Sequence, residues 1–426
     1  MRWILQILDK MIDCYYMKLF FILGREAEIS KAEIESAFNE QIEEKSIKYE
    51  NTLYSPDVCI FDIQPEISPQ YLMNILGGTI KIGVINTSFD ISARDDELLE
   101  QAKNIIMQNI DVEKKMRFGF SIYDGTKNRL DQKEFKKTKK RIQDLGIPLK
   151  KILKGNGLKV RYVTSHEPTL SSVTVTENKL IDGGKELVFI LDETKIYLGT
   201  TEAVQAWKEF SARDYGRPGR DAESGMMPPK LSRILINLAQ APKNAILADP
   251  FCGSGTIISE ALLLGYRKLI ASDIDSIAIA NTKENVRWLV NNKKIDENSI
   301  ANIKYFDIAV THLGDYIEEN SVDTIVTETY LGPPQKEFKN QGELEHEAEH
   351  LLSLYQDTLR TFEQILKPGG RVVIAFPLWR SKERTFVHTP IISEIESYGF
   401  KKLREPLTYG RDDQKVWREI VIFEKK

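Results

Sequence analysis

The chain has 426 residues, 59 Lys plus Arg against 63 Asp plus Glu, and a hydrophobic fraction of 42%. This length exceeds one ordinary core and predicts two or three domains of a soluble globular protein. The three cysteines, Cys14, Cys59 and Cys252, are far apart and odd in number, which excludes a structural zinc knuckle and points to a reducing, cytoplasmic setting.

The opening MRWILQILDKMIDCYYMKLFFILG is apolar but broken by Asp9, Lys10 and Asp13. It therefore predicts neither a membrane span nor a signal-peptide core, and Met17, which begins the better strand, is an alternative start. Over the first 80 residues short strands (KLFFILG, VCIFDI) alternate with helix-like stretches (ISKAEIESAF, SPQYLMNILGG), an α+β pattern. From about 85 to 200 the predicted strands are MRFGFSIYDG, LKVRYVTS, SSVTVTEN, KELVFILD and KIYLGTT, flanking a basic helix over 132–144.

Charge is concentrated in that second stretch. Residues 111–161 hold 16 Lys plus Arg against 6 Asp plus Glu, a local excess of 10 that leaves −14 of the net −4 for the rest of the chain. The asymmetry predicts a polyanion-binding module joined to an acidic one, with Lys136, Lys137, Lys139, Lys140 and Arg141 meeting phosphates rather than bases. Next, the breaker-rich SARDYGRPGRDAESGMMPP reads as a linker. In it Arg213, Tyr215 and Arg217 either make interdomain hydrogen bonds or touch a ligand. Behind Pro228 and Pro229, Leu231, Ile234, Leu235, Leu238 and Ala239 share one helical face.

From 245 strands and helices alternate: AILAD, a helix over 256–264, LIASD, a helix over 276–291, IKYFD, VDTIVTE, a helix over 343–366, RVVIAFP, a helix over 390–398, then two late strands. This is the pattern of an α/β doubly wound sheet with an antiparallel last pair, whose ligands bind beyond the carboxyl ends of the strands. The first such end opens into ADPFCGSGTII. As a dinucleotide fingerprint it fails, because Ile258 stands at the third glycine position and Asp249 would repel a pyrophosphate. A carboxylate there attracts an ammonium instead.

S-adenosylmethionine carries an ammonium, a ribose diol and an adenine amine, and acceptors occur in that order. Asp249 suits the ammonium, Asp273 the ribose hydroxyls and Asp307 the adenine amine, each closing a successive strand. Phe251, Gly253, Gly255 and Thr256 form the loop between them, and Cys252 packs it. Asp275 shares the ribose or caps a helix, and Lys230 is a candidate partner for the methionine carboxylate.

DPFCGSGT followed by SDID resembles the cofactor motifs of class I S-adenosylmethionine-dependent methyltransferases. RDYGRPGRD through GMMPPKLSRILINLA is similar to the linker and entry helix of the THUMP-containing tRNA guanosine-10 N2-methyltransferases, and GREAEISKAEIESAF resembles the start of their N-terminal domain. The resemblance runs from about Met17 to the end. It implies a ferredoxin-like domain over 17–84, a THUMP domain gripping tRNA over 85–202, a linker over 203–228 and a Rossmann-like catalytic domain over 229–426.

Methylation of an exocyclic amine needs acceptors that hold the N–H groups in line with the methyl donor and take up the surplus proton, with an aromatic residue to stack the extracted base. The family meets this with an Asp or Asn, two prolines and an aromatic after the fourth strand. Here the stretch is VTETYLGPP: Glu328 stands at the acid's position, Tyr330 is the aromatic, and the prolines come later as Pro333 and Pro334. The extra methylene of glutamate moves the oxygen by ~1.5 Å, so the motif is divergent. The implied function is methylation of a guanine N2 amine of tRNA. The alternatives are a tRNA-binding protein that keeps a cofactor site without chemistry, or methylation of another RNA position or an adenine N6. No membrane and no metal is expected as partner. A monomer is the default, and ELEHEAEH, with His346 and His350, is a solvated helix start.

Overall fold

In the computed structural model, residues 16–39, 46–108, 115–127, 132–220, 226–292 and 294–426 are described. The apolar opening with Cys14 and part of the predicted linker, 221–225, lie outside them. The chain forms two compact units. One takes in Thr79–Trp207 with the described parts of Met1–Ala27 and Ile42–Ile75; the other comprises Lys208–Lys426, Leu76–Gly78 and the described part of Glu28–Gln41.

The first unit is built on a sheet of eight described strands: β1 (Met17–Leu23), β2 (Lys48–Tyr54), β3 (Val58–Gln64), β4 (Thr79–Asp90), β5 (Met116–Asp124), β6 (Val160–Val163), β7 (Lys185–Leu191) and β8 (Lys195–Val204), in the order β2-β3-β1-β4-β8-β7-β5-β6. β1 lies between β3 and β4, and Leu19 to Leu23 are all buried, which is why it reads as an unbroken apolar run. The expected domain boundary at 84/85 falls inside β4, which pairs with β1 on one side and β8 on the other. Gly83 there is no break. A Cβ on it would come within 2.3 Å of the Phe20 ring and 2.1 Å of the Thr200 carbonyl, so glycine serves close packing inside the strand.

SSVTVTEN, predicted as a strand, is instead the helix Ser172–Glu177. Ser171 accepts from the Thr174 N–H at 3.1 Å as its N-cap, and the Thr176 hydroxyl donates back to the Ser172 carbonyl at 2.8 Å. These local bonds outweigh the β-propensity of Val and Thr. Deep in the same sheet Glu186 accepts from the Lys81 ammonium at 2.5 Å, Ser121 at 2.5 Å and Thr201 at 2.6 Å.

In the second unit the strands are β9 (Ile246–Asp249), β10 (Lys268–Asp273), β11 (Ile303–Asp307), β12 (Val322–Glu328), β13 (Leu366–Arg380), β14 (Phe386–Val387), β15 (Phe400–Lys402), β16 (Leu407–Tyr409) and β17 (Val416–Lys425). The main path runs β11-β10-β9-β12-β13-β17-β15, parallel from β11 to β13, with β17 antiparallel to its neighbours. The order reverses between β9 and β12, the place where such sheets open a ligand crevice. Ile325, Val372, Ile374, Leu359 and Phe362 are fully buried in the core beneath that crevice, each contributing about 1.5–3 kcal/mol by removal from water.

The predicted linker is more structured than its composition suggests. β8 runs to Val204 and residues 207–215 are helical. Arg213 donates to Glu260 at 2.5 Å, and Arg233 meets the same carboxylate at 2.7 Å. Both guanidinium groups lie over the Phe210 ring, at 4.5 and 5.0 Å, so Arg213 bonds inside the second unit. No described helix is long and apolar enough to cross a membrane.

Candidate active site

The short strand ILAD delivers Asp249 to the head of the glycine loop. Gly253 and Gly255 take φ of +52° and +76°, and a Cβ on Gly255 would stand 2.6 Å from Thr282, so the turn requires glycine. The Gly253 N–H donates to Asp273 at 2.8 Å, which lets the end of β10 pin the loop, and the other Asp273 oxygen accepts from the Asp275 N–H at 3.0 Å. Asp249 is 1% exposed. Among the described residues its donors are the Thr327 hydroxyl at 2.7 Å and the Phe251 N–H at 3.4 Å. Burial pushes its pKa up to about 7; those bonds pull the other way, and the charges of Asp273 and Glu328 add to the rise. Burial raises Asp273 as well.

Two residues hold this loop from behind. Asn285 accepts from the Gly219 N–H at 2.9 Å and donates to the carbonyls of Gly219 and Ser254, at 2.7 and 2.8 Å. Arg217 donates to the Thr256 hydroxyl at 2.6 Å, so it too bonds within this unit. Cys252 is buried, its thiol pushed well up by burial, and its Sγ packs 3.7 Å from the Thr282 hydroxyl. Such a thiol is loop packing and a poor nucleophile.

At the end of β12, Glu328 accepts from Arg418 Nε at 2.5 Å. Thr329 is buried and returns to β13 through the Ala375 carbonyl at 3.1 Å. Tyr330 is 50% exposed, and its carbonyl accepts from the hydroxyl of Tyr355 at 2.7 Å. Tyr355 is itself fully buried in the helix Gln341–Ile365.

These strand ends surround a cavity of about 820 Å³, within the range of small-molecule sites. Asp249, Phe251, Gly253, Thr256, Asp273, Asp275, Glu328 and Tyr330 line it. Gly255 shapes the loop from outside the lining. Asp275 also caps the next helix, accepting from the Ile277 N–H at 2.9 Å. Asp307 is not among the residues that line the cavity: β11 is the edge strand, its end is exposed, and Ala309, Val310 and Thr311 form that wall. Lys230 is likewise absent from the lining. It stands 5.6 Å over the Phe210 ring, and burial lowers its pKa.

Arg418, Met226, Met227 and Gln414 line the cavity without having been singled out in the sequence. For Arg418 a signal existed: Arg-Glu in the middle of VWREIVIF, where a buried strand should be apolar. In the first unit the basic helix Gln132–Asp144 exposes Lys136, Lys137 and Lys140. Arg141, expected on phosphate, is tied to Asp95 at 2.7 Å, and Lys139 is half-buried. His346 and His350 face each other at 3.0 Å, and no group of three or more metal-ligating side chains occurs among the described residues.

Residues 217–397 match the family described as UPF0020: RMKL-like, methyltransferase domain. A tRNA (guanine(10)-N2)-dimethyltransferase of Methanothermobacter thermautotrophicus is 29% identical over 153 residues, 36% of this chain and 39% of that protein. Its namesake in Methanocaldococcus jannaschii is 30% identical over 181 residues, 41% of this chain and 46% of that protein. The chain thus spans less than half the length of these relatives. The crystal structure of TrmN from Thermus thermophilus aligns with a TM-score of 0.51 at 15% identity, covering 96% of this chain and 100% of that one. The chain has a mixed α/β fold with a Rossmann-like sheet in its second unit.

Proposed function

We propose that the chain is an S-adenosylmethionine-dependent tRNA methyltransferase acting on the exocyclic N2 amine of a guanosine, position 10 being named for the two archaeal relatives and position 6 for a Thermus thermophilus one. The carrying observation is the cavity at the strand reversal, which brings the acids of the glycine loop, Asp249 and Asp273, together with Glu328 and Tyr330 of the fourth-strand motif.

The donor set suits that cofactor. Asp249, short of donors and raised by burial, accepts an ammonium, and Asp273, already fixed by the loop N–H, accepts ribose hydroxyls. When bound, S-adenosylmethionine supplies a methyl group on sulfonium sulfur, the N–C bond forming as the S–C electron pair returns to sulfur. Glu328 accepts the N–H of the target amine, orients its lone pair and takes up the surplus proton. Tyr330, half exposed at the mouth, stacks the extracted base. The basic helix with Lys136, Lys137 and Lys140 belongs to a THUMP module that binds tRNA phosphates.

Incubation with unmodified tRNA and methyl-labelled S-adenosylmethionine, followed by digestion to nucleosides, tests the reading. Labelled N2-methylguanosine or N2,N2-dimethylguanosine is the expected product. Binding of both ligands without any methylated nucleoside leaves a tRNA-binding protein in its place.

A further inference from the structure

We infer that Arg418 is a positioning residue for Glu328, holding one carboxylate oxygen so that the other is presented to the target amine. This rests on reading the cavity as the methylation site. The pair is long-range in the sheet. β12 and β17 are separated by β13, roughly 9–10 Å at two strand spacings. Glu328 is in register with Ala375, Ala375 with Ile420, and Arg418 lies two residues from Ile420 on the same face. The small side chain of Ala375 leaves room above it, and the long side chains on either side close the distance to 2.5 Å. An aspartate would fall ~1.5 Å short. The departure from the family's shorter acid thus has a structural counterpart: the added methylene is what meets Arg418.

The chemistry follows from what surrounds Glu328. Asp249, at the end of β9, is a like charge beside it, and Arg418, from β17, is the opposing cation. Tyr330 follows it in the chain, and Tyr409, from β16, bears on Arg418. Without the guanidinium, the Glu328 carboxylate would lose the donor that fixes its Oε1 and would be free to rotate out of line with the amine. Arg418 is only 7% exposed. Burial by itself would lower its pKa, yet the charge and the hydrogen bond of Glu328, with the Tyr409 hydroxyl, together offset this and raise it. The contact uses Nε on a single oxygen, Oε1, and a carboxylate has acceptor sites on both.

The test uses the full chain, with kcat and KM on unmodified tRNA measured for wild type, R418Q, E328Q and the double variant. In R418Q kcat should fall roughly 10- to 100-fold, with KM for both ligands within about threefold. A merely structural role would lower kcat by the same factor in the E328Q background, whereas positioning through Glu328 adds little there. Should R418Q fail to fold, R418K carries the test: the charge is kept but the planar guanidinium is not, so kcat should fall about 3- to 10-fold. Wild-type kcat in R418Q, or an equal loss in the E328Q background, overturns the role of Arg418 alone, as does full activity of R418K. Absence of methyl transfer by wild type overturns the methylation reading and this role with it.

Discussion

Two buried carboxylates, one in each sheet, are treated in opposite ways. Glu186 is answered by its own protein, with the Lys81 ammonium and the Ser121 and Thr201 hydroxyls at 2.5 to 2.6 Å. Asp249 receives one short hydroxyl bond and one long N–H contact among the described residues, and its charged neighbours Asp273 and Glu328 raise its pKa further. An acid supplied with a counter-ion holds a fold together. An acid crowded by other acids beside a cavity is arranged for a cation from outside.

The largest effect should come from cutting the first of these. Lys81→Met leaves Glu186 buried without its cation and should cost about 3–5 kcal/mol, measured by urea unfolding. A loss below about 1 kcal/mol would show that the pair is no firmer than a surface one.

Next comes the pH dependence of Asp249. Its carboxyl holds a proton more tightly folded, at about 7, than at its ordinary value of 3.8. Its contribution to stability is therefore full below about pH 4 and is lost as pH rises through about 7, an upper bound of about 4 kcal/mol. Asp249→Asn should lack this part of the decline between pH 4.5 and 8. Glu33, also raised to about 7 by burial, is present in both proteins, so the difference isolates Asp249. Identical slopes in the two unfolding series would break the contrast.

In cofactor binding, Asp249→Asn and Asp273→Asn should each weaken S-adenosylmethionine by about 1.5–3 kcal/mol, the worth of a hydrogen bond to a charged group. Calorimetry showing wild-type affinity in both would remove the site. The smallest effect is expected from Asp307→Ala, below about 0.5 kcal/mol, because its side chain is exposed at an edge strand outside the cavity. A loss equal to that of Asp273→Asn would mean that the binding site extends to β11.

The parts of this layout that sequence discloses are local. Apolar runs ending in an acid mark β9, β10 and β12, because strands covered on both faces carry no polar alternation until they leave the sheet. Which strand is outermost is not written in any one run, so Asp307 reads like its neighbours although its strand end is exposed. Gly83 looks like punctuation until Phe20 is placed beside it. The helix Ser172–Glu177 hides behind β-branched residues whose fate is decided by hydroxyl bonds. Arg418 stands 90 residues from Glu328, and only the strand order across β13 brings them together.

The phenol of Tyr355 holds the backbone of Tyr330 from within the helix Gln341–Ile365, where no base can touch it. The opening of the cavity is therefore tuned from its foundations. A change of packing around that phenol would shift the Tyr330 backbone, and with it one wall of the cavity, while every lining residue stays the same.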